Sequence, residues 1–198
     1  MTRTYDELEL LPKVVPSARH ANRTLCCDIT AADHETGKKL SRTMKEVYGD
    51  ATLPNDKIVI LFRGAAGDRF GTGLGSGITF VADKIGANGC ADMNGGRALI
   101  LSLPREGFCH GLKNGNVFVY SRGMGIPLAS GAYTVGKPNA SERAEIRRLL
   151  KSTNCSRTQR SQAPSYLTGM NPTVDSSVSQ RPFNLPHRIT KSTGIKMK

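Results

Sequence analysis

The chain has 198 residues, no tryptophan and 6% aromatic residues, and its 28 lysines and arginines outnumber 16 acidic residues to give a net charge of +12. This length suits one domain of ordinary size with an extension, and no stretch approaches the roughly 18 apolar residues that a membrane-spanning helix needs. Acidic side chains stand near the start where a signal peptide would be apolar. We therefore expect an intracellular protein, whether cytoplasmic, nuclear or within a virion, and not a secreted one.

The five cysteines are odd in number and contain no CxxC pair, so we expect reduced thiols. Cys26 and Cys27 are neighbours and would point to opposite faces of a strand. Cys109 and His110 are also neighbours and cannot by themselves form a nucleophile and its base. The histidines show no HxH or HExxH spacing, so no metal site is expected.

In chain order, residues 1–23 mix acidic, proline and short apolar pieces, which indicates an extended N-terminal arm lying on a compact domain of residues 24–151. The small, apolar content of Thr24–Ile29 predicts a first strand. Apolar residues of Lys38–Tyr48 recur at spacings of four, seven and eight, which predicts a helix that Gly49 ends.

The middle of the chain reads as β-structure. Further strands are predicted at Lys57–Phe62, Gly77–Ala82, Arg97–Leu103, Asn116–Ser121 and Ala132–Val135, separated by Asn-Gly and similar turn sequences. Because helices do not alternate with these strands, a doubly wound parallel fold is not expected, and no internal repeat is apparent. We expect an α+β fold, with a mainly antiparallel or mixed sheet of about five or six strands and two helices.

A second helix is predicted from Ala140 to about Lys151. Asn139 can cap it, and Glu142 completes a capping box. Residues 152–198 are mostly polar, with scattered basic residues, which predicts a basic, largely extended C-terminal tail. Seven basic residues of this tail face one acidic residue, so its charge density exceeds that of the body.

The most unusual composition is that of the stretch from Arg63 to Gly96, which contains ten glycines. Such a density allows backbone amides to approach a phosphate closely. It equally suits a hairpin or tightly packed turns. No GxGxxG or GK[ST] sequence is present, and the segment leads into a strand rather than a helix, so both interpretations stay open.

Three pieces of this region, Phe62-Arg63-Gly64, Gly75–Asp83 and Gly96–Pro104, resemble in their order the ADP-ribosyltransferases. The resemblance covers about 75 residues. It implies that Arg63 and Gly64 help to hold NAD and that Thr79 and Phe80 line a nicotinamide pocket. The catalytic acid of that family has no counterpart, because residues 120–135 contain no Asp or Glu. The catalytic residue is unknown, and NAD is expected as a cofactor only under this alternative.

The charge distribution favours a polyanionic partner, RNA or DNA, and other subunits of an assembly. We expect a nucleic-acid-associated binding or structural protein whose basic tail threads into a ribonucleoprotein or viral particle. An enzyme, the ADP-ribosyltransferase-like one, is the alternative. A tail that binds an acidic protein, or binds nothing, is the open alternative. The expected nucleic-acid-binding residues are Arg143, Arg147, Arg148, Lys151, Arg157, Arg160, Arg181, Arg188, Lys191, Lys196 and Lys198.

Overall fold

A computed structural model describes residues 4–18, 23–49, 57–119, 133–158 and 187–191. In these ranges the chain forms one seven-stranded sheet, three α-helices and a π-helical turn. The helical elements are the π-turn Asp6–Leu10, α1 (Leu11–Ala18), α2 (Lys38–Tyr48) and α3 (Ala140–Thr158). The strands are β1 (Arg23–Ile29), β2 (Ile58–Gly64), β3 (Ile78–Ala82), β4 (Asn94–Ile100), β5 (Asn114–Val119), β6 (Tyr133–Gly136) and β7 (His187–Lys191).

The sheet is mixed, with the strand order β1-β2-β3-β4-β5-β7-β6. Strands β1 to β5 are parallel and lie in chain order, and β7 pairs antiparallel with both β5 and β6. The expected α+β content and mixed sheet are confirmed. A mainly antiparallel sheet is wrong, because each strand from β2 to β4 is followed by a compact return segment that brings the chain back parallel without a helix.

Each return segment lies directly on the next one, so that strand and return together form one coil of a solenoid. Backbone hydrogen bonds join the return segments coil to coil. Arg69 N donates to Ala87 O at 2.8 Å, and Asn88 N donates to Glu106 O at 2.8 Å. The return segments therefore satisfy their polar backbone groups in the way that a sheet does.

The coils repeat with a period of 19 residues that the sequence did not disclose. Gly77, Gly96 and Gly115 are 19 positions apart and all have positive φ. We call such a set of equivalent positions in successive coils a column, and three more columns have the same spacing. The left-handed positions are Arg69, Gly71, Gly73 and Gly77, then Asn88, Cys90, Asp92 and Gly96, then Gly107, Cys109, Gly111 and Gly115. The expected absence of an internal repeat is wrong. The repeat is one of backbone conformation, and Cys, Asp, Asn and Arg replace glycine at several of its positions.

The interior of the solenoid is filled by side chains. Phe62, Phe70 and Phe80 form an aromatic cluster whose ring centroids are 4.9–5.3 Å apart. Leu74 and Met93 are fully buried in successive coils beside it. This close-packed centre concentrates apolar burial in a few aromatic and aliphatic side chains, as the low aromatic content of the chain requires.

The outer face of the sheet is covered by α3. Ile146 and Leu149 on this helix pack against Leu61, Leu99 and Phe118, all of them buried. The predicted capping box is confirmed, because Glu142 N donates to Asn139 Oδ1 at 2.9 Å and Asn139 N donates to Glu142 Oε2 at 2.8 Å. The helix continues to Thr158, beyond its predicted end.

The N-terminal segment is helical where an extended arm was expected, and it closes the first coil. Leu10 and Val14 are fully buried against the solenoid interior. Asp6 is buried, and its carboxylate accepts hydrogen bonds from the backbone N–H groups of Gly37, Lys39 and Leu40 at 2.8–3.1 Å. A residue distant in sequence thus caps the start of α2.

Other predicted elements are found close to their expected places. Helix α2 has the expected bounds, and β1 to β3 begin or end within two residues of the prediction. Strand β4 begins and ends three residues early. Five residues of the predicted tail form β7 inside the sheet, and the rest of residues 159–198 lies outside the described residues.

Candidate functional site

Arg63 lies at the end of β2 and contacts the neighbouring strand. Its Nη2 donates to Asp28 Oδ2 at 2.7 Å, and Asp28 is its register partner on β1. Gly64 follows with a φ of +113°, and a Cβ at this position would lie 2.2 Å from the carbonyl oxygen of Ile29. The glycine is required by close contact with β1, which accounts for it without a ligand.

Thr79 and Phe80 lie on opposite faces of β3. Thr79 is fully buried on the side that α3 covers, whereas the ring of Phe80 is buried inside the solenoid. Thr79 pairs with Val59 near the start of β2, whereas Arg63 lies near the end of that strand and is partly exposed. The four residues expected to bind a nucleotide are therefore not brought together, and nucleotide binding stays a prediction.

The backbone amides of the glycine-rich segment already have acceptors. Gly71 N donates to Thr36 O at 2.7 Å, Gly73 N to Ala91 O at 2.8 Å and Gly86 N to Gly67 O at 3.1 Å. A phosphate-binding loop needs such amides unpaired and directed at one point. These amides instead join neighbouring coils, which supports the alternative of tightly packed turns.

Among the expected nucleic-acid-binding residues, three use their guanidinium groups within the fold. Arg143 Nη1 donates to the carbonyl of Pro138 at 2.7 Å, and Arg148 donates to both carboxylate oxygens of Glu145 at 2.7 and 2.9 Å. Arg188 on β7 lies 3.1 Å from Glu142 of α3 and also contacts Asn116 on β5 at 3.2 Å.

Arg147 and Lys151 are exposed on the outer side of α3, four residues apart and therefore on one helix face. Arg157 belongs to the last turn of α3, and Lys191 ends β7. The remaining expected contacts, Arg160, Arg181, Lys196 and Lys198, lie outside the described residues. The structure thus places two of the expected bases together on an open surface.

Beside its apolar residues, the contact between α3 and the sheet contains a charged cluster that sequence patterns missed. Arg97 on β4 lies over the ring of Phe118 at 6.0 Å and approaches Glu145 at 3.7 Å. The hydrogen bonds from Arg148, with help from Arg97, hold the pKa of the Glu145 carboxyl below its ordinary value. The capping box drew attention to Glu142, but no local pattern indicated which strand residue it would meet.

Cys90 and Cys109, in the solenoid interior, are not activated as nucleophiles while the coils are closed. Burial raises the pKa of Cys90 to about 12 and raises that of Cys109 well above its ordinary value, which disfavours the nucleophilic thiolate. His110 is exposed while Cys109 is buried, as their adjacency predicted. Cys26 is exposed and Cys27 is buried, which confirms the expected opposite faces.

Two further features of the described ranges bear on other classes of function. Within them, no three His, Cys, Asp or Glu side chains cluster as a metal site would require. None of the helices there combines the length and the apolar character of a membrane-spanning segment.

Comparison with known proteins finds likeness to a much longer enzyme. No family model matches the chain. It is 27% identical over 144 residues to the NADH-dependent glutamate synthase of Saccharomyces cerevisiae, and 33% identical over 113 residues to that of Schizosaccharomyces pombe. The first match covers 71% of this chain but 6% of the enzyme, and the second covers 53% and 5%. Because a stretch covering 71% of the chain cannot miss its middle, the first match includes β3, β4 and β5.

Proposed function

We propose that this chain is a non-catalytic structural module, a rigid solenoid that holds other protein parts of an assembly in place. The observation that carries the proposal is the use of the glycine-rich backbone. Its amides and left-handed corners join one coil to the next, and the interior between them is filled by aromatic and aliphatic side chains. Such a stack presents a firm, extended surface for docking.

The likeness to glutamate synthases supports the same proposal. The first match includes β3, β4 and β5, and each match amounts to about one-twentieth of the enzyme, so the similarity is one of a module and not of the whole protein. We infer that the matching segment of those enzymes forms the same coils. The chain described here would then take a corresponding structural place in a glutamate-synthase-like assembly.

A replacement experiment tests this proposal. The matching segment of the Saccharomyces cerevisiae enzyme is exchanged for this chain, and NADH-dependent glutamate formation is measured. We expect the chimaera to fold and retain activity. A matched chimaera carrying Gly96→Ala, which disturbs one coil corner, should lose both. A folded but inactive chimaera, or turnover of NADH by the isolated chain, would contradict a purely structural role.

Nucleic-acid binding is the second candidate function, and it rests on the outer side of α3. Arg147 and Lys151 are exposed on one face of this helix, and the sequence that follows carries an excess of basic residues. Phosphates of an RNA or DNA strand could lie along this face, with counterion release as the driving force.

Affinity for a single-stranded RNA, measured over a range of salt concentrations, tests this second candidate. Truncation at Lys151 is unsuitable because it would remove β7 from the sheet. The double variant Arg147→Ala and Lys151→Ala should bind more weakly, with a shallower salt dependence. Lys84→Ala with Lys113→Ala removes the same charge from exposed positions on the coils and serves as the control. Equal losses in the two double variants would exclude a specific contact at α3.

The NAD-dependent transferase is the remaining proposal from the sequence, and it can be tested directly. Calorimetry with NAD should give saturable binding that Arg63→Ala removes if the resemblance extends to function. A purely structural module gives no binding heat, and Arg63→Ala then changes only the contact with Asp28.

A further inference from the structure

Cys90 and Cys109 occupy the same place in two successive coils. Cys90 N donates to Phe70 O at 2.7 Å, and Cys109 N donates to Gly89 O at 2.9 Å. These are equivalent bonds of the coil-to-coil ladder, shifted by one period. The two cysteines are therefore nearest neighbours along the solenoid axis.

The backbone at both positions is left-handed, with φ of +57° at Cys90 and +61° at Cys109. The preceding coils have Gly37 and Gly71 in the same column, and glycine is the residue that adopts this conformation without strain. A cysteine here costs about 1 kcal/mol in backbone strain. Equal φ values at two stacked positions also send their Cα–Cβ bonds in the same direction.

Both thiols are enclosed in the interior. Neither residue is accessible to solvent, and the Sγ of Cys90 lies 3.5 Å from where a Cβ on Gly71 would be. The Cys90 thiol is directed towards Gly71 of the preceding coil, so it must change its side-chain rotamer to meet Cys109 of the following coil. Burial is the main reason that the pKa of Cys109 is raised, and the neighbouring Cys90 thiol adds to it.

We propose that Cys90 and Cys109 are a redox-sensitive pair that forms a disulfide between adjacent coils. Neighbours in a parallel ladder have Cα atoms about 4.8 Å apart, which falls within the range of roughly 4.4–6.8 Å that a disulfide spans. Their Cβ atoms are about as far apart, so forming the bond draws them together by a few tenths of an ångström, to roughly 4.5 Å or less. The bond would connect the third and fourth coils across their shared interior and resist their separation.

A peroxide supplies the oxidising equivalents. One thiol loses its proton and attacks a peroxide oxygen, which gives a sulfenic acid and one water. The second thiol then attacks the sulfenic sulfur, forms the S–S bond and releases a second water. Two thiols are oxidised by two electrons, and one hydrogen peroxide is reduced to two waters.

Burial of the pair controls when this reaction occurs. The thiolate is disfavoured in the closed solenoid, so oxidation requires a local opening of the coils that admits the oxidant. Cys26, which is exposed on β1, has no such requirement. The pair should therefore oxidise slowly in native buffer and faster in urea below the unfolding transition, whereas Cys26 should react at similar rates in both.

Peptide mapping of the full chain tests the proposal without any variant. The protein is treated with hydrogen peroxide in sub-denaturing urea, alkylated and digested with trypsin. Cleavage at Arg97 and Arg105 separates the two cysteines, so a disulfide links the peptides 85–97 and 106–113. We expect this linked pair as the main disulfide product, and its loss after treatment with dithiothreitol.

Thermal unfolding provides the second measurement. Oxidised protein should have a higher Tm than reduced protein, and Cys90→Ala or Cys109→Ala should remove the difference while Cys26→Ser leaves it. Absence of the linked peptides after oxidation, or random pairing with the other cysteines, would overturn the proposal. Variants that lower Tm equally in both redox states, with no linked peptide in the parent chain, would show a packing role only.

Discussion

Strands β2 to β5 are held together by backbone hydrogen bonds that repeat coil after coil, whereas α3 and β7 meet the sheet through charged side chains as well. The coils depend on where a Cβ can fit and on which residues tolerate positive φ. The C-terminal elements depend on Arg97, Glu145, Glu142 and Arg188. One sheet is thus stabilised in two ways, by close backbone packing in the coils and by charged side chains at the C-terminal elements. Substitutions in the two regions should therefore have different effects on stability.

The largest expected effect is at a coil corner. A Cβ on Gly96 would lie 2.4 Å from the carbonyl oxygen of Gly75 and 2.8 Å from that of Ile78, at a φ of +67°. We expect Gly96→Ala to lower the free energy of unfolding by about 4 kcal/mol or more, because steric overlap adds to backbone strain. Urea unfolding followed by circular dichroism measures the change.

Two other glycines are matched controls for this prediction. Gly49 has a φ of +69° but open space around it, so Gly49→Ala should cost about 1 kcal/mol from strain alone. Gly136 has open space and no positive φ, so Gly136→Ala should change stability by less than about 0.5 kcal/mol. Equal effects at all three sites would contradict the role assigned to coil contact.

The next largest effect is expected in the solenoid interior. Phe80→Ala removes a ring that contacts Phe62 and Phe70 and supports the backbone of Gly37. The cavity should lower the free energy of unfolding by about 3–4 kcal/mol, and Phe80→Leu should cost clearly less. A loss below 1 kcal/mol in the same urea experiment would show that the coils can collapse into the space.

A smaller effect is expected where α3 meets β7. Glu142 is a partner in the capping box and an ion-pair partner of Arg188. Glu142→Gln keeps a capping group but removes the charge, whereas Glu142→Ala removes both. We expect losses of about 0.5 kcal/mol for the glutamine and about 1–2 kcal/mol for the alanine. Equal losses would assign the whole effect to the ion pair with Arg188, because the glutamine variant keeps the capping group.

The smallest effect is a pH dependence of the C-terminal contact. The pKa of Glu145 is lower in the folded chain than its ordinary value of 4.5. Its ion pairs therefore contribute stability that is fully present above about pH 4.5 and is lost as the pH falls through the folded pKa.

Thermal unfolding at pH 6 and pH 3 measures this dependence. Glu145→Gln should reduce the difference in Tm between the two pH values. Glu106→Gln removes an exposed carboxylate from a return segment and is the matched control. If both variants behave alike in acid, the pH dependence does not arise at α3.

Much of the local structure could be predicted from the sequence, because short-range patterns decide it. The apolar spacing of α2 and the capping box of α3 depend on residues within a turn of one another. Strand direction could not be predicted, because it depends on how each return segment folds. The key signal was present in Gly77, Gly96 and Gly115, but the other columns obscure it with Asn, Asp and Cys.

The candidate sites were harder to predict for a related reason. Arg63, Thr79 and Phe80 share one region of sequence, yet alternation along a strand separates the last two onto opposite faces. In the sequence, Arg143 and Arg148 count as available positive charge, because nothing there shows that Pro138 and Glu145 accept their hydrogen bonds. Residues that meet across a sheet leave no local pattern, and Arg97 is the example here.

The 19-residue spacing has a consequence for how this chain can vary in length. Insertion or deletion of one whole period would leave every column in register and both ends of the stack closed as before. A change of one or two residues within a coil would instead displace each left-handed corner from its neighbours. Natural variation in the length of such a protein should therefore come in units of a complete coil. Shorter insertions and deletions should be confined to segments outside the coils.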